Sequence, residues 1–276
     1  MGARRLPGVA ALLTAGAVVL TGCGTQAPAR SSPVATSVIP AATQASTAAA
    51  AQSGPAATAT VVAPRKTLKL GAKGEDVKWM QKRLTELGYR PGKADGKYGG
   101  TTLAAVWAFQ KVNGIKPTSK IANRTWAALE TPKSPKVLVK NGKPTRAEVN
   151  LTKQIMVLYV DGEVELITHV SSGSGIPYCE TATWQGKQQR FCGSAGTPTG
   201  NYKTTWRTSG WHKSYLGQLY NPIFFNGGIA FHGALSVPLY PASHGCVRMP
   251  MNVAQVLPGM LGKGVPVYVR GKFKRP

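Results

Sequence analysis

The sequence predicts a multi-domain chain: a small all-α three-helix domain over residues 67–131, then a larger mostly-β domain over residues 136–273. Two observations predict it. Apolar residues recur at steps of three and four in the first part, which is the repeat of a helix face. From Lys136 onward that period gives way to short runs rich in Val, Ile, Thr and aromatics, broken by glycine turns.

The helices come in order. "EDVKWMQKRLTELGY" sets Val77, Met80, Leu84 and Leu87 on one face. "TTLAAVWAFQKVNG" does the same with Leu103, Val106, Phe109 and Gln110, and "SKIANRTWAALE" is long enough for a third short helix. Asp95-Gly96 and Gly99-Gly100 supply the turn between the first two. Within the second part, "VNLTKQIMVLYVDGEVELITHV" reads as strands joined by a hairpin turn at Asp161-Gly162. "GTPTGNYKTTWR" and "GVPVYVRG" continue in strand-like pieces, and "MNVAQVLPGML" is the one stretch there that reads as a helix.

The N-terminus has the charge, apolar run and small residues of a secretory signal: Arg4 and Arg5, then Leu6 to Leu20. That run is short for a membrane span, which needs about 20 residues. Leu20-Thr21-Gly22-Cys23 resembles a bacterial lipobox, which implies removal of residues 1–22 and lipidation of Cys23. The expected location is therefore outside the cytoplasm, anchored by lipid to the outer face of the cell membrane, in the cell wall. Residues 23–66 are rich in Ala, Thr, Ser, Pro and Gln and cannot bury enough surface to offset backbone entropy, so a disordered tether is expected.

The chain carries 34 Lys+Arg against 10 Asp+Glu, a net charge of +24. Loss of residues 1–22 would remove Arg4 and Arg5 only, leaving 24 − 2 = +22. Such a surface points to polyanions. Export argues against nucleic acid and favours anionic wall polymers and membrane headgroups.

There are four cysteines. With Cys23 lipidated, three remain in an oxidising compartment, and an odd count leaves one thiol. Cys179 and Cys192 bracket "CETATWQGKQQRFC" and are the natural pair, which leaves Cys246 free. Cys246 sits in "YPASHGCVRMP", two residues after His244, while His232 ends "FFNGGIAFHG". A thiol attacks as its thiolate, and a histidine can take its proton. The residues alone leave open which histidine does so. Gly233 and Gly245 permit close backbone approach, and N–H groups in such a turn can hold an oxyanion. Residues 181–276 contain no Asp or Glu, so no Cys–His–Asp triad can be built within them. His212, His232, His244 and Cys246 lack zinc-site spacing, and no metal or cofactor is implied. Arg248, with no acid near it in sequence, suits a carboxylate on a substrate.

Two resemblances give these residues a setting. "LKLGAKGEDVKWMQKRLTELGY", "ADGKYGGTTLAAVWAFQ" and "TWAAL" are similar to a small peptidoglycan-binding domain, which implies the wall polymer as ligand. "HGALSVPLYPASHGCVR", with "VNLTKQIMVLYVDGE", "VSSGSG", "GTPTGNY" and "GGIAFHGA", resembles the L,D-transpeptidases of YkuD type. That resemblance implies Cys246 as nucleophile and His232 as its base, oriented by the Gly233 carbonyl. It implies an oxyanion hole from the N–H groups of Gly245 and Cys246, with Ser243 and His244 shaping the turn and contacting substrate or the reacting centre. Arg248 would hold an acidic stem peptide, and Tyr220 or Tyr215 would help the oxyanion or line the entrance. The implied reaction attacks the third stem residue, releases D-alanine and forms a 3→3 cross-link, or a hydrolysed stem if water is the acceptor. The Cys179–Cys192 segment stands outside the family pattern and is expected to pin a loop near the site. The rival readings are a wall-binding scaffold without activity and a cysteine peptidase.

Overall fold

The structure, a computed structural model, describes residues 65–273. The expected signal segment 1–22, Cys23 and nearly all of the 23–66 tether lie outside the described residues.

Three helices form first: α1 (Glu75–Glu86), α2 (Gly100–Val112) and α3 (Asn123–Glu130). α1 carries Glu75 and Asp76 in its first turn and Arg83 in its last, charges that complement the helix dipole. Its buried face is Val77, Met80, Gln81 and Leu84. The one polar member, Gln81, is satisfied: its amide donates to Asp95 Oδ1, the Lys97 carbonyl and Thr102 Oγ1, each at 3.1 Å. Its carbonyl accepts the Gly96 N–H at 2.9 Å, so one side chain ties the Asp95-Gly96 turn to α1 and α2.

The second part is two sheets packed face to face. The five-stranded sheet has the order β3-β2-β1-β11-β6, with β1 (Arg146–Asn150), β2 (Ile155–Val160), β3 (Glu163–His169), β6 (Gly200–Lys203) and β11 (Pro266–Arg270). The four-stranded sheet runs β10-β9-β8-β7, with β7 (Trp211–Ser214), β8 (Gly217–Asn226), β9 (Ile229–Gly233) and β10 (Val247–Met249). β1 pairs parallel with β11 and β9 parallel with β10; the other neighbours are antiparallel. The interior between the sheets holds Val149, Met156, Leu158, Leu166, Phe231, Val247, Met249 and Val267. α4 (Met251–Met260) closes one end with Val253, Ala254 and Leu257.

The helical part is not a separate bead. Ile155, Val157, Tyr159 and Ile167, on the other face of β2 and β3, belong to the core of the three helices. That is why "IMVLYV" is apolar without alternation: both faces of the strand are covered.

A third, two-stranded sheet stands apart: β4 (Pro177–Trp184) and β5 (Lys187–Ser194). Its residues are mostly exposed. Cys179 and Cys192 are cross-strand partners in it and are joined as a disulfide.

Candidate active site

Cys246 lies just before β10, and the parallel pairing of β10 with β9 sets Arg248 opposite His232. The two segments that carry the chemistry are thus neighbours in the four-stranded sheet. A cavity of about 830 Å³ opens over them, and Cys246, His232, His244, Ser243 and Arg248 all line it.

The turn before Cys246 is tied from several sides. Ser243 Oγ donates to the Cys246 carbonyl and accepts the Gly245 N–H at 3.0 Å. Thr197 Oγ1 donates to the Gly245 carbonyl at 2.6 Å and accepts the Gly173 N–H at 2.8 Å. Gly245 has φ +136°, and a Cβ there would sit 3.2 Å from the Gly196 carbonyl, so glycine is required. Behind the turn, Ser171 and Arg248 exchange backbone hydrogen bonds at 2.9 and 3.0 Å.

His232 is buried, and its Nδ1 donates to the Gly233 carbonyl at 2.9 Å. That bond fixes the tautomer and leaves Nε2 as the basic nitrogen. Burial lowers the pKa of His232 to about 4, against the Gly233 hydrogen bond, and the charge of Arg248 lowers it further. Burial also pushes the Cys246 thiol up, opposed by the Ala230 backbone hydrogen bond and by Arg248. At rest the pair is therefore a neutral thiol and a neutral imidazole. The thiol donates to the Gly228 carbonyl at 3.6 Å. Among the described residues Arg248 has no carboxylate partner, so its charge faces the cavity uncompensated.

The β4–β5 hairpin forms one wall. Tyr178 meets the His244 ring edge-on at 4.8 Å, and Phe191 stacks on Tyr215 at 4.1 Å. His244 Nε2 bonds to Glu180 Oε1 at 2.7 Å.

The placement departs from the sequence reading in two respects. The Gly245 N–H is engaged by Ser243, so it is not a free oxyanion donor; the positive φ of Gly245 and the return of Ser243 Oγ over the turn make that bond. Tyr220 pairs with Gly233 in the sheet and packs against Trp211 without itself lining the cavity, whereas Tyr215 lines it. The Gly233 carbonyl accepts from His232 Nδ1, the contact that the resemblance implied, and is thereby engaged rather than free for substrate. Sequence reasoning also missed Thr197 and Glu180. Thr197 stood inside the quoted "GTPTG". Glu180 is the last acid of the chain, and nothing in the sequence says that a disulfide hairpin folds it back onto His244.

Comparison with known proteins agrees with this architecture. Residues 73–129 match the model of a peptidoglycan binding domain, and residues 144–269 that of an L,D-transpeptidase catalytic domain. The crystal structure of an L,D-transpeptidase from Xylanimonas cellulosilytica is 36% identical, over 75% of this chain and 98% of that one, with a TM-score of 0.64. An L,D-transpeptidase from Stackebrandtia nassauensis is 26% identical over 77% of this chain and 98% of that one, with a TM-score of 0.42. The chain belongs to the L,D-transpeptidase family, with a peptidoglycan-binding domain ahead of its catalytic domain.

Proposed function

We propose that Cys246 is the nucleophile of a cell-wall acyl transfer that ends in 3→3 cross-links between peptidoglycan stems. The observation that carries this reading is the meeting, in one cavity, of a free thiol, a buried histidine with Nε2 left basic, and an unpaired arginine.

A tetrapeptide stem enters with a carboxylate held by Arg248. The thiol proton passes to His232 Nε2 as sulfur attacks the carbonyl carbon of the third residue, because neither group is charged at rest. The oxyanion takes the Cys246 N–H, since that of Gly245 is engaged. The C–N bond to the terminal D-alanine then breaks, and its amine takes the proton back from His232. The thioester keeps the acyl energy, so no nucleotide is required. An amine from a second stem attacks it; C–N forms, C–S breaks, and the thiol is restored. Export, lipid anchoring through Cys23 at the outer face of the membrane, and attraction of the basic mature chain to anionic wall polymers belong to the same reading.

Incubation with a carbapenem followed by intact mass tests it, with Cys246→Ala alongside. A single adduct on the wild type and none on the variant is expected. No adduct on either, with a reduced thiol at Cys246 verified, would sink the active-thiol reading and leave a wall-binding scaffold.

A further inference from the structure

The proposed reaction has a second substrate, and its chemistry is the opposite of the first. The donor is held through a carboxylate, for which Arg248 is suited. The acceptor is a primary amine, which in water is an ammonium. It needs a carboxylate to hold it and a base to take its proton. Arg248 would repel it.

The distribution of acids leaves one candidate. Of the ten Asp and Glu, five lie in the helical part: Glu75, Asp76, Glu86, Asp95 and Glu130. Asp161, Glu163 and Glu165 lie along the β2–β3 hairpin, where Glu165 pairs with Arg90 at 3.3 Å. Glu148 is buried against Arg146 at 2.7 Å. Glu180 alone is carried onto a residue of the active-site cavity: it bonds to His244 Nε2 at 2.7 Å. Its side chain remains 47% exposed, so it can receive a partner from solvent. Its delivery is built in: Cys179, the residue before it, is cross-linked to Cys192, and Tyr178 meets the same imidazole edge-on.

We propose that Glu180 and His244 form the acceptor subsite, a seat for a primary ammonium on the hairpin side of Cys246. The proposal rests on the acyl-transfer reading above. The ammonium displaces the His244 Nε2–H from the Glu180 carboxylate and gives one proton to His244 Nδ1, the nitrogen that this tautomer leaves basic. The neutral nitrogen attacks the thioester carbon as C–S breaks. Its second proton reaches the departing sulfur through His232, so the products are the amide, the Cys246 thiol and a protonated His244. Glu180 thus determines whether an amine or water resolves the thioester.

The test loads the full chain, as wild type, Glu180→Gln and Glu180→Asp, with a tetrapeptide whose third residue bears a side-chain amine. The cross-linked dimer is quantified against the hydrolysed tripeptide. Hydroxylamine, uncharged at neutral pH, is offered separately and its hydroxamate quantified the same way. In Glu180→Gln the dimer-to-tripeptide ratio should fall about tenfold or more, the loss of one charged hydrogen bond. The hydroxamate ratio should stay near that of the wild type, and Glu180→Asp should restore most of the dimer. An unchanged dimer ratio in Glu180→Gln overturns the proposal. So does a fall in dimer and hydroxamate together, which would mean that Glu180 only props the hairpin. A wild type that forms hydroxamate but no dimer would instead defeat the cross-linking reading on which the proposal stands.

Discussion

The chemistry at Cys246 turns on which protons are in place before substrate arrives. His232 is held to about pKa 4, first by burial and then by Arg248, and burial raises the thiol. A thiolate–imidazolium pair is disfavoured at both ends. His232 is therefore ready as a base over a wide range, because its folded pKa lies below its ordinary value of about 6.5. The sign follows: the basic form is present above pH 4 and is lost only as pH falls through that value. Acylation by a carbapenem, followed from pH 3.5 upward, should show its acid limb near 4 and no inflection near 6.5. A limb near 6.5 would mean that His232 is not the base. Replacing His232 with Ala should slow acylation by about 10²–10⁴-fold, the usual worth of a positioned base. The Gly233 carbonyl that orients His232 is the kind of group the sequence had required, since no carboxylate lies among residues 181–276. The same census could not foresee that Glu180, one residue outside that span, would reach His244 from the opposite wall.

At the scale of elements the β4–β5 hairpin is the part the site depends on and the part the fold supports least. An isolated two-stranded hairpin is marginal in water. This one is mostly exposed and docks through Tyr178 on His244 and Phe191 on Tyr215. The Cys179–Cys192 bridge spans 13 residues of sequence, and in the chain-entropy model such a closure contributes about 3 kcal/mol. Because the hairpin buries little, the effect should be local. In Cys179→Ser with Cys192→Ser, amides of β4 and β5 should exchange about 100-fold faster, while those of β8 and β9 keep their protection. Equal loss in both sheets would show that the bridge supports the whole fold. The pairing of these cysteines was legible, because count and spacing are one-dimensional facts. The α1 face was legible for the same reason: Val77, Met80 and Leu84 repeat at helical spacing, and all are buried. What escaped was where the hairpin lands, which is set by aromatic contacts between Phe191 and Tyr215, 24 positions apart.

Across the described residues, the helical and β parts share strand β2 between their cores. Met156 and Leu158 face the core between the sheets, whereas Ile155, Val157 and Tyr159 face the helices. The seam carries polar ties as well. The Ile167 N–H donates to the Gly88 carbonyl at 2.9 Å. Lys111 Nζ donates to the Gln154 carbonyl at 3.0 Å and to His169 Nδ1 at 2.8 Å, and His169 Nε2 donates in turn to the Val237 carbonyl at 2.9 Å. Burial lowers Lys111 to about pKa 7, so its charge is tolerated only because the seam supplies these acceptors. The sequence, read by period alone, placed a change of character between residues 131 and 136 but could not show that one strand serves both cores. Stripping away the helices would expose Ile155, Val157, Tyr159 and Ile167. At about 1.5–3 kcal/mol for each large side chain, that loss approaches the whole stability of an ordinary domain. Residues 65–273 should therefore unfold in one calorimetric transition. Residues 136–273 alone should melt at least about 10 °C lower and bind an apolar dye, since each kcal/mol moves the midpoint of a chain this size by about 2–4 °C. Two resolved transitions in the longer piece, or an equal midpoint in the shorter one, would mean that the helices rest on the sheet without completing it. A single transition would mean that the wall-binding and catalytic parts stand or unfold together, so the catalytic site would be folded only where the binding module is folded too.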